Sequence, residues 1–166
     1  MSQTRSYDYV NQPFIEVRRA LLIDPVGTFR DATRAASARA RSLTAELTAT
    51  IAGIGVSAEI VCTVGEVLDE SAGPHGTPMM RLPLSWEAAR HLRFFPLMNA
   101  ELTIYPLTST ETQIEFLGHY EPPLGGVGSA LDKIIGHRIA EACVHRFVGD
   151  VAHHLRTKLD RTAGVA

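Results

Sequence analysis

The tightest constraint in this sequence is a long run of alternation. Leu43, Ala45, Leu47, Ala49 and Ile51 take every second position, with Thr44, Glu46, Thr48 and Thr50 between them. Successive side chains on an extended strand point to opposite faces, so the run turns one apolar face to a core and the other to water. Gly53-Ile54-Gly55 interrupts it as a turn, and Val56, Ala58, Ile60, Cys62 and Val64 resume it. Two such runs across a short glycine-bearing connection read as an antiparallel hairpin.

The period of two recurs downstream. Leu82, Leu84 and Trp86 alternate with Arg81, Pro83, Ser85 and Glu87, and Pro83 brings no N–H to a ladder, so this strand is expected at an edge or at a bulge. Met98, Ala100, Leu102 and Ile104 form another strand, and after a turn at Thr108 to Glu111 the pair Ile114 and Phe116 closes a second hairpin. Upstream, residues 1–13 are polar and read as a lead-in, and the β-branched and aliphatic content of Phe14 to Ile23 predicts a first strand. Asp24-Pro25 marks a helix start, aspartate as cap and proline at the first helical position. Val26 to Arg41 fits one or two short helices, with Phe29 as their one large apolar anchor. Asp69 to Pro78 reads as a loop, and residues 88–95 fit either a helical turn or a strand end.

The chain ends in a long helical region opened by Gly125 to Gly128 and continuing to about Lys158. One face collects Ala130, Ile134, Val144, Val148, Val151, Ala152, Leu155 and Leu159, and His137 and Glu141 fall inside that arc, with Arg138 and His145 at its margin. An unpaired charge buried there would cost several kcal/mol. The polar stretch is therefore paired, hydrated or open to a cavity. A second stripe, Ile135, Ile139, Ala142, Cys143 and Phe147, needs its own cover, from the short N-terminal helix or from a second subunit. A homodimer would use Ile135, Ile139, Cys143 and Phe147.

The chain of 166 residues suits one domain, taken as residues 14–159 with a tail at 160–166. At that size a core forms without disulfides or a structural metal. The net charge of −2 supplies no positive field for nucleic acid or anionic membrane. No apolar run approaches the length of a membrane span, and Met1 to Val10 is not a signal peptide. Cys62 and Cys143 lack metal-type spacing and read as reduced core thiols, so a cytoplasmic protein is expected.

The order of strand, short helices, antiparallel strands and long helix resembles the START/SRPBCC superfamily, which includes the birch-pollen-allergen-like and polyketide cyclase/dehydrase-like proteins. The likeness rests on Ile23-Asp24-Pro25, on the run Gly118-His119-Tyr120-Glu121-Pro122-Pro123-Leu124-Gly125-Gly126-Val127-Gly128, on Leu131-Asp132-Lys133 and on the amphipathic stretch Arg138 to Leu159. The resemblance implies an α+β helix-grip fold: a curved antiparallel sheet of six to seven strands wrapped around the C-terminal helix, with short helices after the first strand. It also implies a pocket for an apolar molecule. Members bind sterols, lipids, polyketides, plant hormones and aromatic substrates, and some are enzymes. Many bacterial members carry a tryptophan-containing segment after the first helix, where Arg34 to Arg41 here is rich in alanine and arginine.

Several constellations could carry chemistry. His137, Glu141 and His145 have the spacing H-x-x-x-E-x-x-x-H, but eight residues of helix span about 12 Å. One zinc holds its ligands at about 2 Å, so both histidines cannot share an ion, and neither metal nor cofactor is expected. As an acid–base pair, His137 and Glu141 could move a proton on a bound carbonyl compound. As a structural pair they would contribute a few tenths of a kcal/mol. Arg30, Arg34 and Arg41 share a helical face, read as solvated, and His153-His154 is read the same way. Gly126-x-Gly128 lacks the third glycine and the parallel unit of a dinucleotide site.

The expected ligand-binding residues are thus Trp86, Leu84, Leu102, Phe116, Ile134, His137, Arg138, Glu141 and His145, with His137 and Glu141 as catalytic candidates. Three functions fit: binding of a small apolar molecule or lipid, a cyclase/dehydrase-type enzyme, and a protein-interaction scaffold working through the second helix stripe.

Overall fold

The computed structural model describes residues 2–33, 37–39, 42–51, 54–70, 76–88, 97–120 and 130–163. The hairpin expected from the alternation is present. Strands β3 (Ser42–Ile51) and β4 (Ile54–Val64) pair antiparallel from Ser42↔Thr63 to Ile51↔Ile54. Strand β6 (Met79–Ala88) follows β4 in the sheet, and β7 (Met98–Pro106) and β8 (Thr112–Tyr120) form the second hairpin. With β1 (Ser2–Val10) and the short β2 (Ser37–Arg39), the sheet order is β1-β8-β7-β6-β4-β3-β2, antiparallel throughout. Helices α1 (Phe14–Ile23), α2 (Pro25–Thr33) and α3 (Ala130–Ala163) complete the helix-grip architecture.

Three expectations in the N-terminal part are corrected, the first being that Ser37–Arg39, inside the stretch expected to be helical, is strand β2. Phe14–Ile23 is helix α1, because Val17, Ala20 and Leu21 bury at spacings of three and four, a helical period. The first strand is instead the polar lead-in. In Ser2–Val10 the inward positions include Thr4 and Ser6, both buried, while Arg5, Tyr7 and Tyr9 face out. The period of two is there, with hydroxyl residues on the buried side, so hydropathy alone passes over it. Ser2 pairs with Tyr120 and Val10 with Thr112, which sets β1 at the end of the sheet beside β8.

Asp24 caps α2 as expected, its Oδ1 accepting from the Gly27 amide at 2.7 Å. The Asp69–Pro78 segment is not wholly loop: Leu68–Glu70 forms the three-residue β5 beside Met79–Arg81. Pro83 lies on an interior strand, at a break in the ladder. β4 covers β6 from Leu84 onward and β5 covers it up to Arg81, and between them the Gly65 amide donates to the Pro83 carbonyl at 2.7 Å. The missing N–H of Pro83 faces that gap. Gly65 suits the close approach, since a Cβ there would stand 3.0 Å from the Pro83 Cβ and 3.1 Å from its oxygen.

The core lies between the concave sheet face and α3. Ile60, Cys62, Leu82, Leu84, Trp86, Leu102, Ile104, Ile114 and Phe116 are buried on the sheet, against Ala140, Cys143, Val144, Phe147, Val148, Val151, Ala152 and Leu155 on α3. Those helix residues form two rows at i, i+4 spacing. Such a row winds slowly about the axis, so the buried stripe crosses the helix obliquely. This corrects the straight arc read from the sequence, in which His137 and Glu141 faced inward. His137, Arg138, Glu141 and His145 are exposed, on the flank of the stripe.

The second stripe is corrected with it. Cys143 is 2% exposed and Phe147 1%, both inside this single chain, so they are not a free face for a second subunit. The side chains of Ile135 and Ile139, and also of Ile134, lie outside the described ones. So do Arg34, Arg41 and residues 89–96.

Candidate functional site

Four of the expected ligand residues, Leu84, Trp86, Leu102 and Phe116, sit together on the concave face of β6, β7 and β8, all buried. Trp86 stacks on Phe116 at 5.3 Å between centroids, and Phe147 meets both edge-on at 5.7 and 6.1 Å. Phe29 of α2 closes the cluster at 5.8 Å from Phe147. These rings are the apolar floor beneath the helix.

The polar candidates gather where β8 ends and the described part of α3 begins. Tyr120 continues the inward positions Ile114, Phe116 and Gly118, and only 2% of it is exposed. Its hydroxyl lies 2.5 Å from Nδ1 of His137, and the two rings lie nearly parallel with centroids 6.1 Å apart. The other ring nitrogen, Nε2, stands 3.2 Å from Oε1 of Glu141, one helical turn on. The side chains of His137 and Glu141 are 46% and 50% exposed, so the array runs from a buried phenol out to solvent. Burial pushes the Tyr120 hydroxyl above the usual phenol range, a Ser2 hydrogen bond pulls it back, and the Glu141 charge adds to the rise. The phenol is therefore a hydrogen-bonding group at neutral pH, not a phenolate.

Tyr120 is absent from the residues expected on sequence grounds. Alternation continued two residues past Gly118 would have put it on the inner face. His145 is drawn elsewhere, to the Ser6 hydroxyl of β1 at 3.0 Å. It therefore lies apart from the His137 pair. Arg138 is exposed on the helix flank. His154, expected to be solvated, has its Nε2 buried with no partner among the described residues.

β1 is tied to α3 along its length. Besides Ser6–His145, Arg156 donates to Asp8 and to the Tyr9 carbonyl, both at 2.8 Å, and Gln12 reaches Asp160 at 2.8 Å. The Tyr9 amide donates to the Asp8 carboxylate at 2.7 Å. Of these side chains, Arg156 and Asp8 engage the carbonyl and the amide of Tyr9 on the end strand of the sheet.

No protein-family model matches this sequence, and comparison with curated proteins finds no match. Solved structures do match over nearly the whole chain. TTHA0849 from Thermus thermophilus is similar with a TM-score of 0.57 at 13% identity, covering 95% of this chain and 99% of that one. A conserved protein from Geobacillus kaustophilus gives 0.51 at 16%, covering 92% and 94%. Ara h 8.0201, a birch-pollen-allergen-like protein, gives 0.51 at 7%, covering 94% and 98%. The fold is the α+β helix grip that the sequence resemblance implies. At such identities the likeness speaks to the fold alone and leaves function to the residues. No helix among the described residues is long and apolar enough to cross a membrane.

Proposed function

We propose that this chain binds a small apolar molecule or lipid between the concave sheet face and the N-terminal half of α3. The observation that carries the reading is the change in character along that face. It is aromatic and aliphatic from Trp86 to Phe147 and ends in a buried tyrosine hydroxyl, backed by His137 and Glu141. Ligand sites of this kind are mostly apolar with a few placed polar groups that fix orientation. Leu84, Trp86, Leu102 and Phe116 would form the apolar wall, with Ile134 and Arg138 at the helix start. Cys62 and Cys143, both free and buried, suit a reducing compartment and so the cytoplasm. Native mass spectrometry of freshly purified protein, with thermal-shift titration against fatty acids and fused-ring aromatics, tests the reading. A co-purified mass or a rise in melting temperature is expected. Neither appearing for any compound would overturn it.

A second reading is favoured by the same array. In a cyclase/dehydrase-type reaction a substrate hydroxyl would give its proton to the Tyr120 oxygen as Tyr120 gives its own to Nδ1 of His137. Glu141 would stabilise the imidazolium so formed. His137→Ala and Glu141→Ala should each slow turnover of an aromatic polyketide by about 10²-fold or more. If both match the wild type, this reading fails.

A further inference from the structure

We infer, resting on the binding reading above, that the occupant is an apolar molecule that itself carries a hydroxyl, and that Tyr120 accepts its hydrogen bond. The hydrogen positions follow from the partners. The Glu141 carboxylate, 3.2 Å from Nε2 of His137, favours by its charge the tautomer that carries the proton on that nitrogen. In that tautomer Nδ1 is bare, and the Tyr120 hydroxyl at 2.5 Å donates to it. The phenolic hydrogen is thereby spent on the protein side. What remains on the Tyr120 oxygen, beside the hydrogen bond from Ser2, is acceptor capacity, and a ligand that only accepts finds no donor there.

A second observation lies one strand away. Thr4 is 4% exposed, and its Oγ1 has no partner among the described residues. It pairs across from Gly118, on the same inner face as Tyr120 and diagonal to it. A buried hydroxyl without a partner costs free energy that a bound oxygen would recover. Tyr120 and Thr4 together offer one fixed acceptor and one hydroxyl free to donate or accept. A ligand hydroxyl satisfies both, where an ether, an ester or a plain hydrocarbon does not. Glu141 acts here as a positioning residue, because it sets which way the tyrosine hydrogen points.

The test titrates the full chain with three probes of one shape, naphthalene, naphthol and methoxynaphthalene. Trp86 fluorescence and calorimetry give the affinities. Wild type should hold naphthol about tenfold more tightly than the methyl ether, the scale of one buried hydrogen bond left unmade. Tyr120→Phe should bring that ratio to about one. Glu141→Leu, at a half-exposed position, frees the tyrosine hydrogen and should shift preference toward the ether, a change that lost packing would not produce. Should Tyr120→Phe fail to fold, the Glu141→Leu ratio decides. Naphthol and ether binding alike to wild type, or the ratio surviving both substitutions, overturns this inference and leaves the apolar site standing. Binding of none of the three probes overturns the binding reading and this inference with it.

Discussion

Phe147 touches Phe29, Trp86 and Phe116 at once, which makes it the residue on which sheet, α2 and α3 all depend. Phe147→Ala would leave a cavity on three sides, and a loss of about 3–5 kcal/mol is expected in urea denaturation. Glutamate there should prevent folding, whereas a residue at a subunit contact alone would tolerate it. The two thiols follow from the same close packing. Burial pushes Cys62 and Cys143 up to about 12, so neither should react with a thiol reagent near neutral pH until denaturant is added. Labelling of either in the native state would contradict the burial. At this scale the sequence disclosed the apolar residues well. Trp86, Leu84, Leu102 and Phe116 are legible because alternation marks the buried face. Tyr120 is not, because it sits just ahead of a proline- and glycine-rich run that reads as a turn, and a hydroxyl on a buried position leaves no mark in hydropathy.

Helix α2 shows what a single cap does at the scale of an element. The Asp24 carboxylate occupies the space that a side chain at Gly27 would take, since a Cβ there would fall 1.9 Å from its Oδ2. Gly27→Ala should therefore push the cap aside, and thermal denaturation should register a loss of about 1 kcal/mol, the usual worth of such a cap. Where α2 meets the end of α3, burial holds His154 below the ordinary imidazole range, helped by Lys158, His153 and Arg161 and opposed by Asp31. The folded chain thus favours the neutral ring. The stability this supports is full above the unfolded value of about 6.5 and is lost as pH falls through the lower folded one. Melting temperature should drop as pH falls from about 7 through the acid side of the ordinary imidazole range, and His154→Leu should remove part of that drop. An unchanged pH profile in the variant would sink the assignment. Among elements, the β3–β4 and β7–β8 hairpins and the long helix were legible, because apolar periodicity marks them. The pitch of the α3 stripe was not, since a row at i, i+4 drifts around the axis and a straight arc averages over it. β1 was not legible either, its inner positions being threonine and serine.

Across the whole molecule the sequence carried the architecture further than it carried the chemistry. The sheet face and the grip of α3 follow from burial, which any apolar residue of suitable size satisfies. The Tyr120–His137–Glu141 array depends on where the end of β8 stands against the start of α3, and spacing within α3 alone supplies only the His137–Glu141 half. Arg156→Ala would test how the molecule is closed on its other side. It frees the Tyr9 carbonyl and removes the cation beside Asp8, so a loss of about 1 kcal/mol and greater self-association in sedimentation are expected. That closure also has a consequence in time. β1 is made early, whereas its sheet neighbour β8 and the helix holding it come last, with Arg5 and Glu115 joined across 110 residues of chain. During synthesis the β1 segment must wait, unpaired, until almost everything else has emerged. Contacts closing so long a loop are slow to form, so the last step in folding should be the return of the first strand, and a chain halted before β8 should hold no stable sheet edge for it to join.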